Sequence, residues 1–122
     1  LRPNVLLKEY HKEVGQMMQF ELLSLGLIDK TDIKNQDKSF PAYKKYFMHG
    51  TSHFLGLDVH DVGDFEKPIK ENMVFTCEPG IYIPEEGLGI RIENDVLVTA
   101  SEPVDLMKKI PIEVDEIEDL MN

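Results

Sequence analysis

Leu7, Tyr10, Val14, Met17, Met18, Leu22 and Leu25 recur at three- and four-residue spacing, which predicts one amphipathic helix with an apolar stripe. Asn4 is placed to cap its start and Gly26 to stop it. Gly15 sits mid-helix, where glycine costs about 1 kcal/mol relative to alanine, so close packing is predicted at that turn. From Ile28 to Tyr46 the period is lost, and KTDIKNQDKSFPAYKKY reads as a polar loop with a short helical turn near Pro41. Met73 to Thr76 is a short apolar strand that runs out at the turn Glu78-Pro79-Gly80. Tyr82 and Ile83 suggest a second short strand, closed by Pro84-Glu85-Glu86-Gly87. Ile90 to Thr99 carries the strongest strand pattern, with Ile90, Ile92, Val96, Leu97 and Val98. Ile112 to Met121 predicts a short acidic helix. A helix packed on a small, mostly antiparallel sheet is an α+β arrangement.

A chain of 122 residues makes one domain, 1–122, with room for a real core but small for a complete hydrolase. Its net charge of −10, with lysines scattered among acids, argues against nucleic acid as a partner. No apolar run approaches the roughly 20 residues of a membrane span, so no membrane partner is expected. The single cysteine, Cys77, allows no intrachain disulfide and suits a reducing compartment. With no signal-peptide pattern in LRPNVLLKEYHKE, the expected location is cytoplasmic. That segment also lacks an initiator methionine, and the chain is expected to be part of a longer protein.

The chemistry-bearing residues cluster between His49 and Glu93. His49 and His53 would share one face if their segment were helical; the alternative is two histidines satisfied by backbone groups. His60 lies in Asp58-Val59-His60-Asp61, and in an extended segment Asp58 is its same-side neighbour. Glu78 ends an apolar strand, where burying a carboxylate is costly unless it is paired or bound to metal; the alternative is an ordinary strand-end acid facing solvent. Cys77, one residue earlier, should face the other way and pack. Arg91 and Glu93 are two residues apart in a strand pattern and share a face, while Asn94-Asp95 suggests a bulge. An imidazole with two carboxylates suits a divalent metal, and further imidazoles suit proton handling.

In order, HGTSHFLGLDVHDVG (49–63), CEPGIYI (77–83) and GIRIENDVLVT (89–99) resemble the carboxy-terminal half of the pita-bread (creatinase/aminopeptidase-like) metallopeptidases. The wording is that of the Xaa-Pro aminopeptidase (aminopeptidase P) and prolidase branch, and the Thr-Ser before His53 favours the aminopeptidase. Methionine aminopeptidases share the fold but are less similar. The resemblance implies metal-dependent hydrolysis of an N-terminal Xaa-Pro bond, with a peptide carrying proline in second position as substrate. It implies two divalent ions, Mn²⁺ first with Co²⁺ or Zn²⁺ as alternatives, which lower the pKa of a shared water. By the same resemblance His53, Glu78 and Glu93 are metal ligands, Glu93 bridging both ions, and Glu78 is also the general base. His49 and His60 would contact the substrate carbonyl and the developing oxyanion, Arg91 would orient the ligands, and Tyr82 would line the pocket. A homo-oligomeric parent is expected. The family also uses two aspartate ligands and a further histidine upstream. Asp29, Asp32 and Asp37 are the only aspartates before His49 and all lie in the polar stretch, so an incomplete metal site and an inactive isolated chain are expected. Prolidase activity and a non-catalytic pita-bread binding domain stand as alternatives.

Overall fold

A computed structural model describes residues 1–122. The first helix, α1, spans Leu7–Ser24. Its C-terminus is built as the sequence predicts. Gly26 takes φ 74°, and the Gly26 and Leu27 N–H groups return to the Leu23 and Leu22 carbonyls at 3.1 and 3.0 Å. Its start is not. Asn4 sits at φ 65° and its N–H donates to the Ile69 carbonyl at 2.9 Å, while Glu9 accepts the Leu6 N–H at 3.3 Å. A contact distant in sequence has claimed Asn4 before it can cap. The stripe divides in the same way: Leu7, Tyr10 and Leu22 are buried, whereas Met17 and Leu25 face solvent.

The stretch after α1 is more ordered than its composition suggests. A short helix, α2, spans Lys30–Asn35, capped by Asp29, whose carboxylate accepts the Thr31 and Asp32 N–H groups at 2.6 and 2.8 Å. The helical turn near Pro41 is a 3₁₀ turn over Ala42–Lys45. Ile28, Tyr43, Tyr46 and Phe47 join Leu22 in one buried cluster. A second cluster packs Leu7 and Tyr10 of α1 on Ile69, Phe75 and Val98. α1 therefore braces both halves of the core.

Four strands carry the rest: β1 (Val74–Cys77), β2 (Gly80–Ile83), β3 (Leu88–Arg91) and β4 (Asn94–Leu97). A two-residue β5 (Val104–Asp105) extends the β1-β4-β5 sheet, while β2 and β3 pair alone; all pairings are antiparallel. The stretch from Ile90 to Thr99 is thus two strands in two sheets rather than one. The cause is visible in the register. β1 pairs with β4 from Val74↔Leu97 to Cys77↔Asn94, and β2 with β3 from Gly80↔Arg91 to Ile83↔Leu88. Both ladders follow one continuous register, so they form a single ribbon opened across residues 78–79 and 92–93. Continuing the register sets Glu78 opposite Glu93 and Pro79 opposite Ile92. Proline has no N–H to give the ladder, and the Glu78 N–H turns away to the Thr51 carbonyl at 2.9 Å. The acidic tail helix, α3, spans Val114–Met121. Ile81, Ile83, Leu88, Ile90 and Leu27 line an apolar groove of about 520 Å³ open to solvent.

At Gly15 a Cβ would overlap the buried Tyr43 ring. Gly15→Ala is expected to destabilise by about 1–3 kcal/mol through overpacking, against alanine's better helix propensity. Urea unfolding measures this. In a Tyr43→Leu background the same change should be neutral or stabilising; an equal penalty in both backgrounds would show that the ring is not the cause.

Candidate metal centre

Residues 50–54 run along β1 on the edge away from β4, and this contact positions the histidines. The Thr76 N–H donates to the His53 carbonyl at 3.3 Å, Phe54 bridges to Phe75, and the His53 N–H donates to Thr76 Oγ1 at 3.0 Å. Because β1 takes up these backbone groups, the segment is extended and His49 and His53 do not share a helical face. They are separated by function of contact. His49 Nδ1 donates to the Gly50 carbonyl at 2.7 Å and its Nε2 meets the Tyr82 hydroxyl at 3.0 Å. His53 turns into the opening of the ribbon.

There, three groups converge. His53 Nε2 lies 3.3 Å from Glu78 Oε1 and 3.9 Å from Glu93 Oε1. One ligand atom from each of His53, Glu78 and Glu93 lies within 4.8 Å of the others. The Glu78 side chain is only 10% exposed, so its carboxylate is a buried one, as its place at the strand end suggested. His53 Nδ1 is 2.9 Å from the Phe54 carbonyl. A carbonyl only accepts, so Nδ1 donates to it and Nε2 is the ring nitrogen turned toward the two carboxylates. Two carboxylates beside a ring nitrogen favour positive charge or proton donors among them. A histidine whose far nitrogen is fixed by a backbone carbonyl is how metal-binding imidazoles are commonly oriented. The donor set fits a divalent ion.

Arg91 closes the other side, with its guanidinium 3.7 Å from Glu78 Oε2 and 4.0 Å from Glu93 Oε2. Arg91 and Glu93 do meet as their spacing implied, across the end of β3 rather than along one strand. The His60 ring packs edge-on against His53 with centroids 4.2 Å apart. Asp58 does not pair with it; Asp61 instead ties the turn by accepting the Leu57 and Val62 N–H groups at 2.8 and 2.7 Å. His49, His53, His60, Glu78 and Arg91 line one cleft of about 290 Å³ with no hydrophobic lining residue. Cys77 faces away, its sulfur 3.3 Å from the Tyr10 hydroxyl.

The three aspartates before His49 are engaged locally. Asp29 and Asp32 cap α2 reciprocally, and Asp37 accepts the Ser39 N–H and hydroxyl at 2.7 Å each. The supporting contacts of two threonines were not read from the sequence. Thr51 accepts Glu78 through its carbonyl and meets His11 Nδ1 through its hydroxyl at 2.8 Å. Thr76 touches both His53 and Glu78. The signal for Thr76 was present: a polar residue two positions before Glu78 in an apolar strand shares its face.

Solved structures place this architecture. Zinc-substituted aminopeptidase P from E. coli, in complex with product, superposes with a TM-score of 0.78 at 38% identity, covering 98% of this chain and 30% of that one. The fold is the pita-bread fold, built as α+β with antiparallel strands. A profile of metallopeptidase family M24 matches residues 1–100, and the chain belongs to that family. Among named relatives, Xaa-Pro aminopeptidase 3 of Rattus norvegicus is 40% identical over 97% of this chain and 25% of its own length. Xaa-Pro aminopeptidase of Escherichia coli K12 is 39% identical over 98% of this chain and 30% of its own length. The chain thus spans between a quarter and a third of these relatives. No helix is long and apolar enough to cross a membrane.

Burial holds the His11 imidazole below its ordinary pKa, with Lys44 and His49 adding smaller effects of the same sign. A histidine depressed in the folded state leaves the unfolded chain binding more protons, so its contribution is lost as pH falls from about 6.5 through the folded pKa. His11→Asn is expected to flatten the pH dependence of the urea midpoint between about pH 5 and 7. An unchanged slope would show that His11 does not set it.

Proposed function

We propose that this chain supplies three ligands, His53, Glu78 and Glu93, to a divalent metal centre that hydrolyses the N-terminal Xaa-Pro bond of peptides. The observation that carries the reading is the convergence of a buried carboxylate, a second carboxylate and an oriented imidazole nitrogen within 4.8 Å. The relatives named Xaa-Pro aminopeptidase support the reaction class and the substrate, a peptide with proline in second position. Mn²⁺ is the proposed resident ion, two per complete site; a zinc-substituted relative supports a hard or borderline divalent cation in general. The remaining ligands come from outside these 122 residues, because Asp29, Asp32 and Asp37 are occupied elsewhere. Residues 1–122 form one structural unit of that enzyme. The lone cysteine supports a cytoplasmic setting, and a homo-oligomeric parent is part of the same reading.

Bound divalent metal supplies Lewis acidity, acidifying water and polarising a peptide carbonyl. Glu78 accepts the proton released from water on a carboxylate oxygen and returns it to the departing proline nitrogen, a role that suits a carboxylate held in a water-poor pocket. Arg91, 3.7 Å from Glu78 Oε2, helps keep the carboxylate turned toward the cleft. His49 and His60 line the cleft and would meet the substrate carbonyl and its developing oxyanion, His49 by exchanging its Tyr82 contact for the substrate. Tyr82 orients His49 through its hydroxyl.

Calorimetric titration of Mn²⁺ tests the reading. The chain alone should take up one ion weakly, His53→Ala should abolish uptake, and no residue should be released from an Xaa-Pro peptide. Binding that is unchanged in His53→Ala would overturn the ligand assignment. Turnover by the isolated chain would overturn the incompleteness of the site.

A further inference from the structure

We propose that Thr76 is the positioning residue that sets the distance between the His53 imidazole and the Glu78 carboxylate. The inference rests on the metal-centre reading for its purpose, though not for its geometry.

Thr76 lies on β1, completely buried. Its Oγ1 accepts the His53 N–H at 3.0 Å and lies 3.3 Å from Glu78 Oε1. A hydroxyl has one proton to give. With the His53 N–H donating into the oxygen and a carboxylate able only to accept, that proton goes to Glu78 Oε1. The direction of both hydrogen bonds is thereby decided. Glu78 Oε1 is also the atom 3.3 Å from His53 Nε2. One hydroxyl therefore links the main chain of His53 to the carboxylate oxygen that meets its side chain. A second hold, the Glu78 N–H on the Thr51 carbonyl, fixes the backbone of Glu78 but leaves its side chain free to rotate. Only Thr76 restrains Oε1 from the direction of β1.

Thr76→Val keeps the volume and the branched β-carbon and removes only the hydroxyl; Thr76→Ser keeps the hydroxyl. Nuclear magnetic resonance on the metal-free chain reads the geometry. In Thr76→Val, exchange of the His53 amide should quicken at least tenfold and the Glu78 side-chain resonances should broaden or double, while Thr76→Ser resembles the parent. Unchanged spectra in Thr76→Val would overturn the proposal whatever the metal data show. The visible absorption of added Co²⁺ reads the consequence: affinity should fall about tenfold or more in Thr76→Val with an altered band, and Thr76→Ser should restore both. Equal Co²⁺ affinity and spectra in parent and Thr76→Val would also overturn it, leaving Thr76 a purely structural residue. If the parent chain takes up no Co²⁺, the metal-centre reading fails for this chain and the resonance data alone decide the role of Thr76.

Discussion

Two carboxylates facing each other across an opened ribbon are the constraint around which this structure is arranged. In an unbroken antiparallel ladder, Glu78 and Glu93 would be directly opposed like charges and would destabilise the pairing. Pro79 removes a ladder donor beside them, the ribbon opens, and the gap admits cationic or proton-bearing groups. Arg91 enters from one side and His53 from the other, each within 4.0 Å of both carboxylates. The half-exposed Arg91 offsets the repulsion only in part, because solvent screens it. The two carboxylates and the His53 nitrogen stay close enough for one cation to reach all three.

A site of this kind is only as good as its supports, and they come from elements distant in sequence. α1 lays Tyr10 against Cys77 and His11 against Thr51, so one helical turn presses on both β1 and the segment that delivers His53. Burial drives the Tyr10 phenol well above its ordinary pKa, with the Cys77 contact adding to the effect, so this support stays uncharged and proton-bearing at neutral pH. The β2–β3 hairpin has less behind it. Two strands alone are marginal in water, and this pair is tied to the body by the Tyr82 N–H on the Tyr46 carbonyl at 2.9 Å and by the Tyr82–His49 contact. The covered ribbon half carries the buried Glu78 carboxylate, and the less covered half carries Arg91.

Much of the site was legible before any coordinate. The strand-end position of Glu78 left open a buried, partnered carboxylate or a solvent-facing one, and burial decides for the first, while the two-residue spacing of Arg91 and Glu93 put them on one face. Gly26 and Gly15 were equally readable, since a left-handed helix end and a tight helix–ring approach each demand the residue found there. α2 could have been read too: Asp29 and Asp32 stand at the spacing of a reciprocal helix cap, a signal carried wholly within four residues.

What the sequence by itself determined is everything that near neighbours decide: the course of α1, its C-terminal stop, the turns after Glu78 and Ile83, and the set of residues able to hold a divalent ion. Tertiary structure alone decided which of them meet. Asn4 lost its capping role to the Ile69 carbonyl, and the run from Ile90 to Thr99 was split by a proline on the facing strand. His53 was drawn out of any helix by the hydroxyl and backbone of Thr76. Local preferences are read one segment at a time, whereas a ladder's register and its break belong to two segments at once, so no single stretch of sequence contains them.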